Sequence, residues 1–322
     1  MMRRGFVAVL ALVFSAFAFA ADHDSDALAW LQKMATAAKS LDYTGTFTYL
    51  SDQRFETMRI AHALRADGEV ERLETLDGSP REVIRKDGEV RCILPGLKTV
   101  IIDREERRRA FPGRLPTAVS QLSEHYRIVS GDMGRVADRP AQIIRLEPLD
   151  KLRFGHHLWA DVETGLLLKA RMVDEQDKVV EQFVFNDIHI GAEVGPEALR
   201  ARYQTGDDWH VVNAHGSDAV QADVHWSLSD VLPGYQLIST VKRTVAKGGA
   251  DVLHMVYSDG LAHISVFIEP QAADEDDAAG FVAAGSIGVY ARNHDGYRLT
   301  VLGEAPREAL RRVGDGMVLK GD

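Results

Sequence analysis

The sequence has one cysteine, Cys92, in 322 residues. No intrachain disulfide can form, so the fold must hold by packing alone. It has no CxxC pair, no HExxH and no phosphate-binding glycine loop. These absences remove the plainest marks of thiol redox, zinc hydrolysis and nucleotide chemistry. After the first twenty residues it has no apolar run long enough to span a bilayer, which takes about 20 residues. Positive charge is also short. Lys and Arg number 38 against 48 Asp and Glu, giving a formal charge of −10. So acidic a chain is a poor nucleic-acid binder, and its partners are expected to be basic or apolar.

What is present begins with a targeting segment. Arg3 and Arg4 precede an uncharged run from Phe6 to Ala20. Ala18-Phe19-Ala20 has the small-x-small form of a cleavage site, which makes residues 1–20 a signal peptide and Ala21 the new N-terminus. Arg3-Arg4-Gly5-Phe6 also suits a twin-arginine signal, but no cofactor motif follows that would demand export in the folded state. No cysteine stands at the cleavage site to carry a lipid. Loss of residues 1–20 removes two arginines and takes the net charge to −12. The mature chain is expected to be exported and soluble, in keeping with 45% apolar and 27% charged residues.

Helical spacing of Leu28, Leu31, Met34, Ala35 and Ala38 predicts a first helix, capped by Asp24 or Ser25. From Tyr43 the composition turns to Thr, Tyr and Phe, as in strands. Asp67-Gly68, Asp77-Gly78 and Asp87-Gly88 mark hairpins in a meander with strands of about 5–7 residues. A second helix is predicted from Pro116 to about Glu124, with strands resuming at "AQIIRLEPL". Residues 203–223 are polar and lack periodicity, so they read as a linker. Strands return at "YQLISTVKRTV", "VLHMVYSD", "HISVFIEP", "SIGVYARN" and "YRLTVLGE", and a helix starts at Pro306. Gly248-Gly249 reads as a turn and the acidic run 274–277 as a solvated loop.

The stretch "RFGHHLWADVETGLLLKARMVDEQDKVVEQFVF" tests for a metal centre. Neighbouring strand residues point to opposite faces, so His156 and His157 cannot share one metal without a bulge. Leu166, Leu168, Ala170 and Met172 fall on one face, Lys169 and Arg171 on the other. That is sheet patterning. "AGSIG" at 284–288 imitates a nucleophile elbow, but it precedes a strand and lacks the first glycine. His254, His263 and Asp259 flank a turn, and nothing in the sequence supplies a base for Cys92. No catalytic set, metal site or cofactor is expected. "DREERRRAFPGRLP" is different. It gathers Arg104, Arg107, Arg108, Arg109 and Arg114 in an acidic chain. It reads either as a solvated loop or as a contact for lipid phosphate, since arginine forks suit phosphates.

The segments "WLQKMATAAKSLDYTGTFTYL", "GRVADRPAQIIRLEPLDKLRFGHHLWADVETGLLLKA", "VVEQFVF", "MVYSDGLAHISVF" and "LTVLGEAPREALRRV" together resemble the MucB/RseB family, in order and spacing. The likeness covers nearly the whole mature chain. It implies an α+β protein. Residues 21–202 would form a curved antiparallel sheet over helices, a half-barrel like the lipoprotein carriers, with an apolar concavity. Residues 224–318 would form a smaller α+β domain. It also implies a periplasmic regulator of an envelope-stress sigma factor of the sigma-E/AlgU type. Such a regulator binds the periplasmic domain of a single-span anti-sigma factor of the MucA/RseA type and shields it from the site-one protease. Lipid or lipopolysaccharide would release it, and a homo-oligomer is open. A soluble lipid carrier is the competing class, and a hydrolase a third for which no residues are found.

Overall fold

The computed structural model describes residues 18–52, 54–104, 119–218, 224–230, 232–244, 251–271 and 280–319. The chain enters through helix α1, Ala18–Ser40. It starts earlier than the sequence suggested, so Asp24 and Ser25 lie inside it rather than capping it. Nothing between Ala18 and Ser25 breaks a helix, and the alanines there favour one. The buried stripe is Ala27, Leu31, Met34, Ala35 and Ala37. It is turned slightly from the expected face, with Leu28 and Ala38 at its margin.

Eleven strands follow: β1 Tyr43–Ser51, β2 Arg54–Arg65, β3 Gly68–Thr75, β4 Glu82–Lys86, β5 Glu89–Leu94, β6 Thr99–Arg104, β7 Tyr126–Val136, β8 Arg139–Pro148, β9 Gly155–Asp161, β10 Leu167–Val173 and β11 Val179–Ile190. With β12, His210–Asn213, they make one open sheet in the order β12-β6-β5-β4-β3-β2-β1-β11-β10-β9-β8-β7. β2 runs 12 residues and β3 runs 8, longer than the turn spacing implied. β7 was not read as a strand at all. The sheet curls. β7 touches β11, four places away, where flat strands would stand about 19 Å apart.

α1 fills the face enclosed by the curl. Leu31 and Met34 meet Ile144, Leu158, Leu168, Met172 and a cluster of Phe47, Phe183 and Phe185. The three rings meet edge-on with centroids 5.0–5.8 Å apart. Each fully buried Leu or Met contributes about 1.5–3 kcal/mol. The helix expected at 116–124 is a 3-10 turn over Val119–Glu124, and Pro116 lies outside the described residues. Val119 and Leu122 are both buried, a spacing of three that suits a 3-10 geometry. On the other side of the sheet a single helical turn, α2 Pro196–Leu199, covers Ala61 and Ala63.

Part of the predicted linker pairs with the sheets. β12 pairs in parallel with β6. β13, Ser217–Asp218, pairs with Lys242 and Val241 of the second sheet. Val211 and Val212 stay exposed, so backbone bonding, not burial, recruits β12. Upstream, the Arg202 backbone N–H donates to the buried Glu82, 3.0 Å away. The connection is therefore tied to both sheets.

The second part holds β14 Trp226–Leu228, β15 Gln236–Thr244, β16 Asp251–Ser258, β17 His263–Pro270, β18 Gly280–Ala284, β19 Ile287–His294, β20 Tyr297–Gly303 and β21 Met317–Leu319. The order β13-β15-β16-β17-β20-β19-β18 is antiparallel throughout, and β14 pairs with β21. Ile264, Val266 and Ile268 alternate inward, as one-sided sheets require. Helix α3, Arg307–Gly316, covers them with Ala309, Leu310 and Val313. Gly248-Gly249 and the acidic run 274–277 lie outside the described residues. The fold is dominated by two open sheets with few helices.

Candidate functional site at the junction of the two sheets

The two sheets exchange leucines. Leu152, between β8 and β9, is buried in the second core, and Leu261, between β16 and β17, is buried in the first. Beside Leu152 sits Arg153, whose side chain is fully buried. Its Nε donates to Asp150, 3.1 Å away, and another nitrogen lies 3.4 Å from the buried Asp259. A third donates to the Pro233 carbonyl. The rings of Tyr126 and Tyr235 flank the guanidinium at 5.6 and 5.3 Å. Burial, then the charge of Asp259, pushes both phenols well above their ordinary pKa. They stay protonated, and Tyr126 donates to Asp259 while Tyr235 donates to the Leu152 carbonyl. Asp259 also accepts the backbone N–H groups of Leu261 and Ala262. One arginine thus joins both sheets, through two hydrogen bonds and an ion pair.

A second polar contact lies at the β1–β2 end. The Ser286 N–H donates to the Ser51 hydroxyl, 3.3 Å away. Gly285 makes this approach possible: its φ is +65, and a Cβ there would stand 2.3 Å from Ser51 Oγ. Nearby, Glu181 is fully buried on β11, with neither oxygen in a well-aligned hydrogen bond. Burial raises its pKa, though the hydroxyls of Tyr49 and Ser286 oppose this. Glu304, just past β20, is pushed up to about 8 by burial and then by the charge of Glu181. A third contact joins Asp103 of β6 to Arg243 of β15 at 3.7 Å.

The sequence candidates fall as follows. Arg104 ends β6, exposed, next to Asp103 of the junction. Arg107, Arg108, Arg109 and Arg114 lie outside the described residues. His156 is buried and its pKa is lowered to about 3, chiefly by burial. His157 sits on the opposite face, so the two do not converge. Among the described residues no group of three His, Cys, Asp or Glu could hold a metal ion. Ser286 of "AGSIG" is buried in a turn between two strands, not on a strand-to-helix turn. His254 stacks on Phe267 at 4.1 Å. Cys92 is half-buried in β5. Sequence reasoning missed the Arg153–Asp259 pair and the Glu181–Glu304 pair. Each unites residues more than a hundred positions apart, and no local pattern marks either.

The MucB/RseB N-terminal domain model matches residues 26–203, and the MucB/RseB C-terminal domain model matches residues 220–318. The chain belongs to the MucB/RseB family. It is 34% identical to the sigma factor AlgU regulatory protein MucB of Pseudomonas aeruginosa, over 95% of both chains. It is 28% identical to the sigma-E factor regulatory protein RseB of Salmonella typhimurium, over 95% of this chain and 94% of that one. A crystal structure of MucB in complex with MucA(peri) matches with a TM-score of 0.72 at 30% identity, covering 93% of this chain and 100% of that one. These MucB/RseB relatives are regulatory proteins, not enzymes. Among the described residues no helix is long and apolar enough to cross a membrane.

Proposed function

We propose that this protein is a periplasmic negative regulator of an envelope-stress sigma factor. It binds the periplasmic domain of a single-span anti-sigma factor and shields it from the site-one protease. The observation that carries this reading is the match, over 93% of this chain, to a MucB held in complex with MucA(peri). The test is proteolysis of the purified anti-sigma periplasmic domain with and without the mature protein. Slower cleavage in its presence is expected, and equal rates would remove the reading.

Release by lipid or lipopolysaccharide belongs to the same proposal, with the large domain acting as a half-barrel of the lipoprotein-carrier kind. Its support is the arginine-rich stretch 104–114. Arg104, the described arginine of that stretch, stands beside the Asp103–Arg243 contact. Acyl burial would supply about 0.8 kcal/mol per CH₂ to compete with a protein partner. Exposed charge contacts contribute about 0–1 kcal/mol each, so a single substitution should do little. Neutralising Arg107, Arg108 and Arg109 together is expected to raise the lipid concentration needed for release. Release at the unchanged concentration would mark the stretch as a solvated loop. Loss of the partner without lipid would place it in the protein interface.

A further inference from the structure

We propose that the outer face of the first sheet around Trp159 is a docking surface for an acidic, extended segment of the protein partner. This rests on the function proposed above and names the place where that partner is held. The register builds the face. Arg145 and Arg171 flank His157 across β8, β9 and β10. In the next row Lys169 stands opposite Trp159. Leu158, Ala160, Leu168 and Ala170 alternate to the core, so these cations and rings point away from α1.

The indole organises the charges. Lys169 Nζ lies 4.5 Å and the Arg171 guanidinium 5.5 Å from its ring centre. Trp159 in turn lies close over Gly134, where a Cβ would come within 3.0 Å of the ring. A cation on an aromatic face is held in place without being neutralised. Many arginines elsewhere in this acidic chain are paired with carboxylates, as Arg139 is with Asp161 and Glu163. Arg145, Lys169 and Arg171 have no carboxylate partner among the described residues. Arg171 donates to the neutral Gln182 instead, at 2.6 Å. Two acids border the face. Asp177 lies 3.7 Å from His157 and is largely exposed, and Glu147 is engaged by Arg127. Burial and the charge of Arg171 lower the pKa of Lys169, as crowded like charges do.

Spacing selects the occupant. Across the strands, Arg145 of β8 and Arg171 of β10 flank His157 and stand about 10 Å apart, the span of about three extended residues. The row through Arg171 continues to Gln182, then Leu50 and Phe55. Phe55 is 68% exposed. From β8 to β2 this row spans about 24 Å, the reach of about seven extended residues. A segment with acids at one end and an apolar residue at the other matches that order. A lipid bilayer fits less well. Cations cover the indole, so it is not free to enter an interface, and a chain of net charge −10 is repelled by an anionic surface.

The test uses the full mature protein with Arg145→Glu, Lys169→Glu and Arg171→Glu together, and the corresponding triple change to Gln as a milder variant. Affinity for the purified anti-sigma periplasmic domain is measured at low and high salt. The unmodified protein should bind more weakly as salt rises. The Glu variant should lose about tenfold at low salt, with a flatter salt dependence, and the Gln variant should lose less. Unchanged affinity and salt slope in both variants overturns the docking surface while leaving the proposed function standing. No binding by the unmodified protein at any salt overturns both. If the variants keep the partner but no longer bind phosphatidylglycerol vesicles that the unmodified protein binds, the face is a lipid surface and the proposal fails.

Discussion

Glu304 couples the junction to pH. Its folded pKa of about 8 stands well above the ordinary carboxylate value, so the folded state keeps a proton that the unfolded chain gives up. Stability from this group is complete at low pH and is lost as pH rises through about 8. Glu181 shifts in the same direction. His156 acts oppositely: with a folded pKa of about 3 against an ordinary 6.5, it makes stability rise until about pH 6.5 and then drops out. The two carboxylates are therefore best isolated above pH 6.5. Thermal melts between pH 7 and 8.5 should show Tm falling with pH, and Glu304→Gln should flatten most of that fall. An equal slope in the variant would mean that the pair does not hold a proton. None of this was legible in the sequence, where Glu181 sits in an ordinary alternating strand and only its three-dimensional neighbour makes it unusual.

At the scale of elements, strands with a buried face were readable. Leu166, Leu168, Ala170 and Met172 are all buried as their alternation implied. So is the α3 stripe of Ala309, Leu310 and Val313. Elements without such a face were not. β12 was missed because Val211 and Val212 pair through backbone alone and stay exposed. The β1–β2 turn carries no glycine signal, because Asp52 takes a left-handed φ of 58 without a following glycine. β7 was missed because its outer half carries Gly131, Asp132 and Gly134, residues that weaken a strand signal. Gly134 is there to admit the ring of Trp159. The arginine stretch was legible as a cluster, and Arg104 alone of its five arginines falls among the described residues.

For the whole molecule, residues 203–223 matter because the chain does not simply hang between two independent bodies. Truncation after Arg202 would strip β12 from the first sheet. It would also leave Arg153 without Asp259 and the Pro233 carbonyl. Breaking a buried ion pair by removing one partner costs about 3–5 kcal/mol. The fragment is expected to melt below the full protein and to bind the anti-sigma factor poorly. Calorimetry beside a pull-down checks both, and a fragment as stable and as tightly bound as the full chain would show that the junction is idle.

The exchanged leucines set a lower bound on any ligand that works by prising the sheets apart. Returning Leu152 and Leu261 to water costs about 3–6 kcal/mol before any polar contact is counted. Moving a two-state equilibrium from one extreme to the other takes about 5.5 kcal/mol of preference for the opened form. At about 0.8 kcal/mol per methylene, that is roughly four to eight methylenes sheltered in the opened form alone. A trigger of this kind would be graded by acyl length: headgroups and short chains would dock silently, and only long-chained lipids would part the two halves.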